Sequence, residues 1–322
     1  MRGFVMIKAV VNPAGANGGT LKTWQKAQSI LKEKGAGCEV HFSSMDESIT
    51  EIVRNITSKG EDVTVLLLGG DGTMNEAVNG IQDFEKTKVG YVPCGSGNDL
   101  AKALGFSRDL ETLLDSVIAG RTVRTLDVGE LIVHKSYDPD RNVISVSDMV
   151  RRFNISCGMG FDAEICAHVE SSATKKILNA IHMGKLSYIA QALRVIFMAP
   201  RADASITLDG EKTIRLEQLL FTCGMNSRYE GGGFMFAPKA DPTDGILDLV
   251  AADHLSRFDF FRMFPYAYSG SHVNFRGVTI ETCREAQIRT DIPLWLHTDG
   301  EVIGMSDDVT IRISDKKMKM VI

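Results

Sequence analysis

The 322-residue sequence lacks several features that mark specialised classes of protein. Its six cysteines are scattered without a C-x-x-C pair, which fits a reducing compartment, gives no zinc-site spacing and predicts structural thiols. No run of about 18 apolar residues occurs, so we expect no membrane-spanning helix. The first residues lack the apolar core and cleavage site of a signal peptide. We therefore expect a cytoplasmic protein.

An excess of basic charge is also missing, because 36 Lys and Arg against 41 Asp and Glu give a formal net charge of -5. Nonspecific nucleic-acid binding needs a basic surface, so we expect no nucleic-acid partner. The Walker pattern and the protein-kinase signatures are absent, which excludes those two kinase families. The length and the ordinary globular composition, with 44% hydrophobic residues, fit two domains.

The first third of the sequence repeats one order: a short apolar run, a turn of small residues, and a segment with helical spacing. This order is typical of βα units on a parallel sheet. Strands are predicted at residues 5–11, 38–42, 63–68 and 89–93. Residues 63–68 are all apolar or Thr, as in a strand that is covered on both faces.

Beyond Asp127, short alternating runs and hairpin turns replace the βα units. Asp209-Gly210 between two alternating runs predicts a hairpin. Further strands are predicted at residues 218–223, 246–251, 278–282, 286–290, 294–298 and 309–313. We therefore predict an α/β domain with a parallel sheet at 1–127 and a mainly antiparallel β-sandwich domain at 128–303, with 304–322 packing back on the first domain.

Three predicted strands end in loops of small residues, at 12–19, 69–73 and 94–99. The carboxyl ends of parallel strands share one edge of the sheet, where helix N-termini favour phosphate. Glycine lets a phosphate oxygen approach a backbone N–H because no Cβ intervenes. Together the loops predict a nucleotide site, whereas residues 69–73 alone are equally explained by a tight turn with Asp71 or Thr73 as N-cap.

Side chains near the second loop carry polar groups that suit such a site. Asp71 can orient a water on Mg²⁺, and we expect Asn75 and Glu76, on the first helical turn, to face the same space. Gly158-Met159-Gly160-Phe161-Asp162-Ala163 matches G-x-G-x-x-A and is a formal alternative, a dinucleotide site. It lacks the acidic ribose ligand about 20 residues further on.

The second loop also resembles a known family. Gly69-Gly70-Asp71-Gly72-Thr73-Met74-Asn75-Glu76 is similar to the G-G-D-G-T-x-N-E signature of the diacylglycerol kinase catalytic domain, which bacterial lipid kinases share with sphingosine and ceramide kinases. Other motifs of the family are matched in order at residues 12–15, 93–101, 126–129, 231–238, 241–249 and 298–301. The resemblance covers nearly the whole chain.

This resemblance implies an NAD kinase/diacylglycerol kinase-like fold, with ATP in the cleft between two domains and the lipid entering through the second. It carries the ATP contacts over to Asn12, Pro13, Gly15, Ser43 or Ser44, Gly69, Gly70, Asp71, Gly72, Thr73, Met74, Asn75, Glu76 and Ser96. The family's first loop often continues with a lysine, where this chain has Ala16-Asn17. Lys22 or Lys102 would then neutralise the phosphates.

The resemblance also assigns the catalytic groups. Asp299 is the expected base for the attacking hydroxyl, and the waters on a catalytic Mg²⁺ are assigned to Asp71, Asp99, Asp127 and Glu301. A second, structural Mg²⁺ is expected on Asp241, Asp244 and the carbonyl oxygen of Ile246. Without the family, Asp299-Gly300 is explained as a hairpin turn and the 241–246 segment as a solvated loop.

We therefore predict a lipid kinase that uses ATP and Mg²⁺, with diacylglycerol as the first candidate acceptor, and that binds transiently to the inner membrane surface. One alternative is NAD kinase-like phosphorylation of a soluble dinucleotide, which the 93–101 loop and the closing D-G-E disfavour. Another is a catalytically silent lipid-binding regulator, which the retained Asp71, Asp99 and Asp299 disfavour. The sequence leaves the acceptor lipid and a homodimer open.

Residues 175–198 have an apolar helical face with basic residues nearby. These are Lys175, Lys176, Lys185 and Arg194. The pattern indicates a helix that lies at a membrane interface or, alternatively, one that packs on the sheet. Basic ends would suit anionic lipid headgroups.

Overall fold

The computed structural model describes residues 6–120, 123–170 and 199–322. The predicted helix at 175–198 and its four basic residues lie outside these ranges, so both explanations of that segment stay predictions. Within the described ranges, none of the helices has the length and apolar character needed to cross a membrane.

A parallel sheet with the strand order β2-β1-β3-β4 forms the first part of the fold. Its strands are β1 (Ile7–Val11), β2 (Cys38–Phe42), β3 (Val63–Gly69) and β4 (Thr87–Pro93). The helices beside it are α1 (Gly19–Glu33), α2 (Ile49–Thr57), α3 (Asp71–Gly80), α4 (Asp99–Leu104) and α5 (Leu110–Ala119). Strand β3 is buried along its whole length because Val65 and Leu67 pack in one core and Leu66 and Leu68 in another.

The remaining described strands are mainly antiparallel. They are β5 (Val123–Tyr137), β6 (Val143–Ser145), β7 (Met149–Phe153), β8 (Ser156–Gly160), β9 (Ala202–Leu208), β10 (Lys212–Leu219), β11 (Phe221–Met225), β12 (Leu247–Ala252), β13 (Val278–Cys283), β14 (Glu285–Thr298) and β15 (Glu301–Val321). Two helices, α6 (Phe161–Glu170) and α7 (Arg257–Ala267), accompany them. The predicted hairpin at Asp209-Gly210 is confirmed as β9 and β10, and the predicted fold class is confirmed.

The long strand β15 connects the two parts of the fold. It pairs antiparallel with β14 and β5, and its residues 319–321 pair parallel with β4. The main strand order is therefore β13-β12-β11-β8-β14-β15-β4-β3-β1-β2. Because β14 and β15 meet at Asp299-Gly300, this turn comes from the sandwich and reaches the N-terminal half of α3.

One strand prediction in the second part is wrong, and the dinucleotide alternative is not supported. Residues 218–223 are not one strand, because Gln218 has a φ of 53° and the chain shifts from β10 to β11 between Leu219 and Phe221. The dinucleotide pattern is not a phosphate loop either, because Gly158 lies inside strand β8. A Cβ on Gly158 would collide with side chains packed over it, so this glycine makes room for protein groups.

Candidate active site

Two glycine loops touch backbone to backbone at the carboxyl edge of the parallel sheet. A Cβ built on Gly95 would lie 2.8 Å from the Cα of Gly70, so this contact has no room for a side chain. The Cys94 N–H donates to the Gly69 carbonyl at 2.7 Å. The loops after β3 and β4 therefore form one glycine-lined surface that a phosphate can approach closely.

The first loop joins this surface through Asn12. Its Nδ2 donates to Thr73 Oγ1 at 3.4 Å, which fixes the loop after β1 against the start of α3. Pro13 and Gly15 are partly exposed beside Asn12, and Ser96 is exposed on the loop after β4. The structure thus brings these predicted ATP contacts to one edge of the sheet, where ligands of parallel α/β folds bind.

The two serines after β2, Ser43 and Ser44, make different hydrogen bonds. The Ser43 N–H donates to the Val11 carbonyl at 3.0 Å, so Ser43 continues the sheet beside the first loop. The Ser44 hydroxyl accepts N–H groups of Asp46 and Glu47, each at 3.2 Å, within its own turn. Ser43 is therefore the better placed of the two for a ligand contact.

Asp71 stands at the N-terminus of α3 and binds the N-terminus of α4. Its Oδ2 accepts the Asp99 N–H at 3.0 Å and its Oδ1 accepts the Leu100 N–H at 3.4 Å. Burial, together with the nearby charges of Asp99 and Asp299, raises the pKa of Asp71 to about 6. A carboxylate that burial makes costly to ionise is a good partner for a cation.

Asp99 links the α/β part to the glycine-rich segment of the sandwich. Its Oδ2 accepts the Gly232 N–H at 2.7 Å, whereas its Oδ1 is buried without a hydrogen-bond partner among the described residues. Burial raises the pKa of Asp99. Lys102, one turn further along α4, donates to the Gly233 carbonyl at 3.4 Å and lies 3.9 Å from the centre of the Tyr229 ring.

Asp299 is held by four donors. Its Oδ2 accepts Asn75 Nδ2 at 2.9 Å, and its two oxygens accept the backbone N–H groups of Asn154, Ile155 and Ser156 at 2.8–3.3 Å. Burial raises the pKa of Asp299, while these hydrogen bonds oppose the rise. The base predicted from the family resemblance is therefore fixed in place and lies against the helix that follows the nucleotide loop.

Two predicted ATP contacts on α3 have other partners. Glu76 Oε2 accepts the Ile49 N–H at 3.1 Å, and its carbonyl accepts the Thr50 hydroxyl at 2.9 Å. Glu76 therefore caps α2, and the expectation that its side chain faces the nucleotide space is wrong. The side chain of Met74 is buried in the core, which leaves only its backbone for a ligand.

Glu301 lies against the nucleotide loop from the sandwich side. A Cβ on Gly72 would collide with Glu301 Oε1, so the glycine lets this carboxylate approach the start of α3. The D-G-E turn thus contributes Asp299 and Glu301 to the same end of α3 as Asp71. The structure assembles these three predicted groups around one helix N-terminus.

Asp127 occupies a different place from these carboxylates. Its Oδ1 forms an ion pair with Lys317, and its Oδ2 accepts the Gly245 N–H at 2.6 Å. The backbone N–H of Asp127 donates to the Pro242 carbonyl at 2.7 Å. Asp127 is thus bound to the 241–246 loop, and its role on a catalytic ion stays a prediction.

The 241–246 loop gathers the carboxylates that were predicted to hold a structural Mg²⁺. Asp241 Oδ1 accepts the Thr243 hydroxyl at 2.7 Å, and Asp244 Oδ1 accepts the Ile246 N–H at 3.0 Å. Burial and the charges of Asp241 and Asp127 raise the pKa of Asp244. A loop with two carboxylates, one of which is made costly to ionise by burial and by like charges, has the chemistry of a hard-cation site.

Sequence reasoning missed groups that support the candidate site from further away. Arg151 Nη2 donates to Asn75 Oδ1 at 3.2 Å, which orients the amide that binds Asp299. His297 Nδ1 accepts the Gly300 N–H at 3.2 Å. Neither residue belongs to a motif, and only the pairing of β7 and β14 with their neighbours brings them here.

Two family models match the two parts of this fold. The chain matches the diacylglycerol kinase catalytic domain over residues 6–131 and the YegS C-terminal NAD kinase beta sandwich-like domain over residues 156–321. A diacylglycerol kinase of Mycobacterium tuberculosis is 27% identical over 297 residues, covering 92% of this chain and 88% of that protein. A diacylglycerol kinase of Bacillus subtilis is 26% identical over 283 residues, covering 87% and 84%.

Solved structures agree with these matches at the level of the fold. A diacylglycerol kinase structure from Bacillus anthracis superposes with a TM-score of 0.71 and 20% identity, covering 100% of this chain and 98% of that one. An NAD kinase from Archaeoglobus fulgidus in complex with ATP superposes with a TM-score of 0.51 and 12% identity, covering 98% and 94%. The chain belongs to the diacylglycerol kinase catalytic-domain family, as the sequence motifs predicted.

Proposed function

We propose that this protein transfers the γ-phosphate of ATP to the hydroxyl of a lipid, with diacylglycerol as the acceptor and phosphatidic acid as the product. The observation that carries the proposal is the 2.9 Å hydrogen bond from Asn75 Nδ2 to Asp299 Oδ2. It joins the helix after the glycine loop to a carboxylate on the sandwich. A nucleotide held at the loop would thus have a base beside it.

The ATP phosphates would bind where the loops after β1, β3 and β4 meet. Gly70 and Gly95 leave the backbone open there, and the dipole of α3 favours negative charge at its N-terminus. Asn12, Ser43 and Ser96 offer polar side chains around this surface. Lys102 is the better candidate of the two lysines for phosphate neutralisation, because it already reaches the Gly231–Gly233 segment opposite Asp99.

The carboxylates of the edge fit Mg²⁺. The buried Oδ1 of Asp99, which has no hydrogen-bond partner among the described residues, and the raised pKa of Asp71 both indicate that this edge of the sheet is short of positive charge. Asp71, Asp99 and Glu301 would hold the ion through oxygen atoms or through bound waters. Bound Mg²⁺ supplies neutralisation of the phosphate oxygens during transfer.

The chain's own part in the reaction is to position the acceptor and to take its proton. The acceptor oxygen forms a bond to the γ-phosphorus, the bond from that phosphorus to the bridging oxygen breaks, and ADP leaves. Asp299 takes the hydroxyl proton. Because burial raises the pKa of Asp299, the carboxylate is a stronger base than an exposed aspartate.

A lipid acceptor is supported by the relatives, which carry the name diacylglycerol kinase. A lipid substrate places the protein at the surface of a membrane, to which we propose that it binds transiently from the cytoplasm.

The proposed division of the chain at residue 127 would separate the residues that contact the nucleotide from those that contact the lipid. Asp241, Asp244 and the carbonyl oxygen of Ile246 would hold the structural Mg²⁺.

Transfer of labelled phosphate from ATP to a panel of lipids tests the proposal, with NAD as the soluble control. We expect label on diacylglycerol in mixed micelles with Mg²⁺, and none on NAD. Asp299→Asn should lower kcat by at least about 100-fold, since general-base catalysis contributes about 10²–10⁴. Asp291→Asn, at an exposed position of β14, the strand that leads into the Asp299-Gly300 turn, is the matched control and should keep wild-type turnover.

Two results would contradict the proposal. Label on NAD alone would show a soluble acceptor. Equal turnover of wild type and Asp299→Asn would remove Asp299 from the proton transfer.

A further inference from the structure

Four side chains that the phosphoryl transfer does not use converge beside the Asp299-Gly300 turn. The ligand atoms of Asp162, Cys223, Glu230 and His297, here called the four-ligand cluster, all lie within 4.8 Å of one another. His297 Nε2 is 3.0 Å from Asp162 Oδ2 and 3.2 Å from Glu230 Oε1. Cys223 Sγ is 3.4 Å from Glu230 Oε2. Such separations approach those between ligands that lie about 2.0–2.3 Å from one tetrahedral metal ion.

The sheet builds this cluster over a glycine. Strand β8 lies between β11 and β14, and Gly158 is the pairing partner of both Cys223 and His297. A Cβ on Gly158 would collide with Asp162 Oδ2 and His297 Nε2, so the missing side chain is what lets the ligand atoms meet. On one face of a sheet, cross-strand neighbours otherwise stand side by side and roughly perpendicular to the sheet, so the ends of their side chains do not converge.

The cluster is largely buried and carries more acidic than basic side chains. Cys223 and His297 are each 1% exposed, and two carboxylates surround one imidazole. No lysine or arginine of the described residues forms an ion pair with Asp162 or Glu230. Burying carboxylates without enough positive charge is costly, and a cation removes that cost.

A fifth group lies beside the cluster. Ser156 is fully buried, and its hydroxyl lies within hydrogen-bond reach of Glu230. This contact lowers the pKa of Glu230, whereas burial raises it. Ser156 thus helps to hold Glu230 in place beside His297.

We propose that the four-ligand cluster binds one divalent transition-metal ion of the zinc type. Nitrogen, thiolate sulfur and carboxylate oxygen together suit Zn²⁺ and its neighbours, whereas Mg²⁺ and Ca²⁺ prefer oxygen alone. The site is therefore chemically different from the all-oxygen groups at Asp71 and at the 241–246 loop. Binding forms a bond from the metal to Cys223 Sγ and releases the thiol proton to solvent.

Titration of the full-length protein with Co²⁺ tests the site. Chelator-treated protein is first given excess Mg²⁺, which fills oxygen sites. We then expect one equivalent of Co²⁺ to produce a thiolate charge-transfer band in the near ultraviolet, and Zn²⁺ to displace it. Oxygen ligands alone give no such band.

Two pairs of variants assign the ligands. Cys223→Ser should abolish the band, and Cys283→Ser, at another buried thiol outside the cluster, should keep it. His297→Gln should weaken Co²⁺ binding by at least about tenfold, as loss of even an outer partner of a metal site does, and His272→Gln, at another buried histidine, should not.

The outcomes separate a metal site from an ion-pair network. The proposal would be overturned if the wild type gave no band or if the band survived Cys223→Ser. It would also be overturned if the control variants Cys283→Ser and His272→Gln lost Co²⁺ binding as much as the cluster variants. Should circular dichroism show that Cys223→Ser or His297→Gln is unfolded, Asp162→Asn decides: its side chain is 17% exposed, and unchanged Co²⁺ affinity would overturn the site. The spectrum does not depend on kinase activity, so failure of the proposed function leaves this result unaffected.

Discussion

At the scale of single residues, the candidate site consists of carboxylates that the fold makes costly to ionise. Asp71, Asp99 and Asp299 all have raised pKa values, and burial is the first cause for each. Their hydrogen bonds to N–H groups lower this cost without removing it. The fold therefore places carboxylates whose ionisation is unfavourable at the position where the proposed Mg²⁺ would bind.

The stability of an Asp71→Asn variant measures this cost. The pKa of Asp71 rises from 3.8 to about 6 on folding, so between these values the folded chain holds the proton more tightly. Stability therefore falls as pH rises from about 4 to 6, and the loss persists above pH 6. Removing the charge should make the variant more stable at pH 8 without Mg²⁺, by at most about 3 kcal/mol.

Urea unfolding at pH 8 and at pH 4 provides the measurement. The gain should be much smaller at pH 4, where folded wild type keeps the proton on Asp71 and the unfolded chain has lost it only in part. Asp46→Asn in an exposed loop should show no gain at either pH. A gain of the same size at both pH values would show that packing, and not charge, causes it.

At the scale of elements, close contact between loops makes the phosphate surface. Gly70 and Gly95 meet through backbone atoms, and backbone cannot move aside as the end of a flexible side chain can. The loops after β3 and β4 are therefore one unit, although 24 residues separate these two glycines in the sequence.

Gly95→Ala should separate the two loops. Its Cβ would lie 2.8 Å from Gly70 Cα and 2.9 Å from Asn98 Oδ1, so we expect a loss of about 1–3 kcal/mol in stability, as for other overpacked positions. ATP affinity should fall as well, which isothermal titration calorimetry can measure. Gly37→Ala is the control, because no atom lies within 4 Å of its added Cβ. Unchanged ATP affinity of Gly95→Ala would contradict a phosphate site at this contact.

The elements also show what a sequence can predict. Strand β3 was predictable because a run such as 63–68 has one physical explanation, burial on both faces. The break between β10 and β11 was not, because a positive φ at Gln218 depends on pairing with β9 and β12. The consecutive apolar residues at 219–221 give no sign of such a shift in the sequence.

The same contrast holds for the candidate site. Asp71, Asp99 and Asp299 belong to motifs that specify their position, and the structure brings them to one end of α3. Glu76 belongs to the first of these motifs too, yet its side chain caps α2, because helical spacing turns residue 76 away from residue 75. His297 has no motif, and only the register of β8, β11 and β14 places it over Gly158.

At the scale of the whole molecule, strand β15 joins the sandwich to the parallel sheet. It pairs with β14, β5 and β4 in turn. Lys317 on this strand forms an ion pair with Asp127, whose other oxygen holds Gly245. One ion pair thus connects the C-terminal strand, the start of β5 and the loop of the proposed structural ion.

Lys317→Met should destabilise the molecule and loosen that loop. Asp127 is 2% exposed, so loss of its partner leaves a buried charge with less compensation. Because Lys317 itself is 36% exposed, we expect about 1–3 kcal/mol, less than for a fully buried pair. Urea unfolding measures the loss, and hydrogen exchange at the Gly245 N–H should become faster.

The exposed pair of Lys212 and Glu281 supplies the control. Lys212→Met removes an ion pair of 2.6 Å whose lysine is 58% exposed, and it should change stability by no more than about 0.5 kcal/mol. Equal losses in the two variants would mean that the connection through Asp127 adds nothing beyond a surface ion pair. Faster exchange at Gly245 in Lys317→Met alone would instead show that the C-terminal strand holds the 241–246 loop in place across the junction of the two parts.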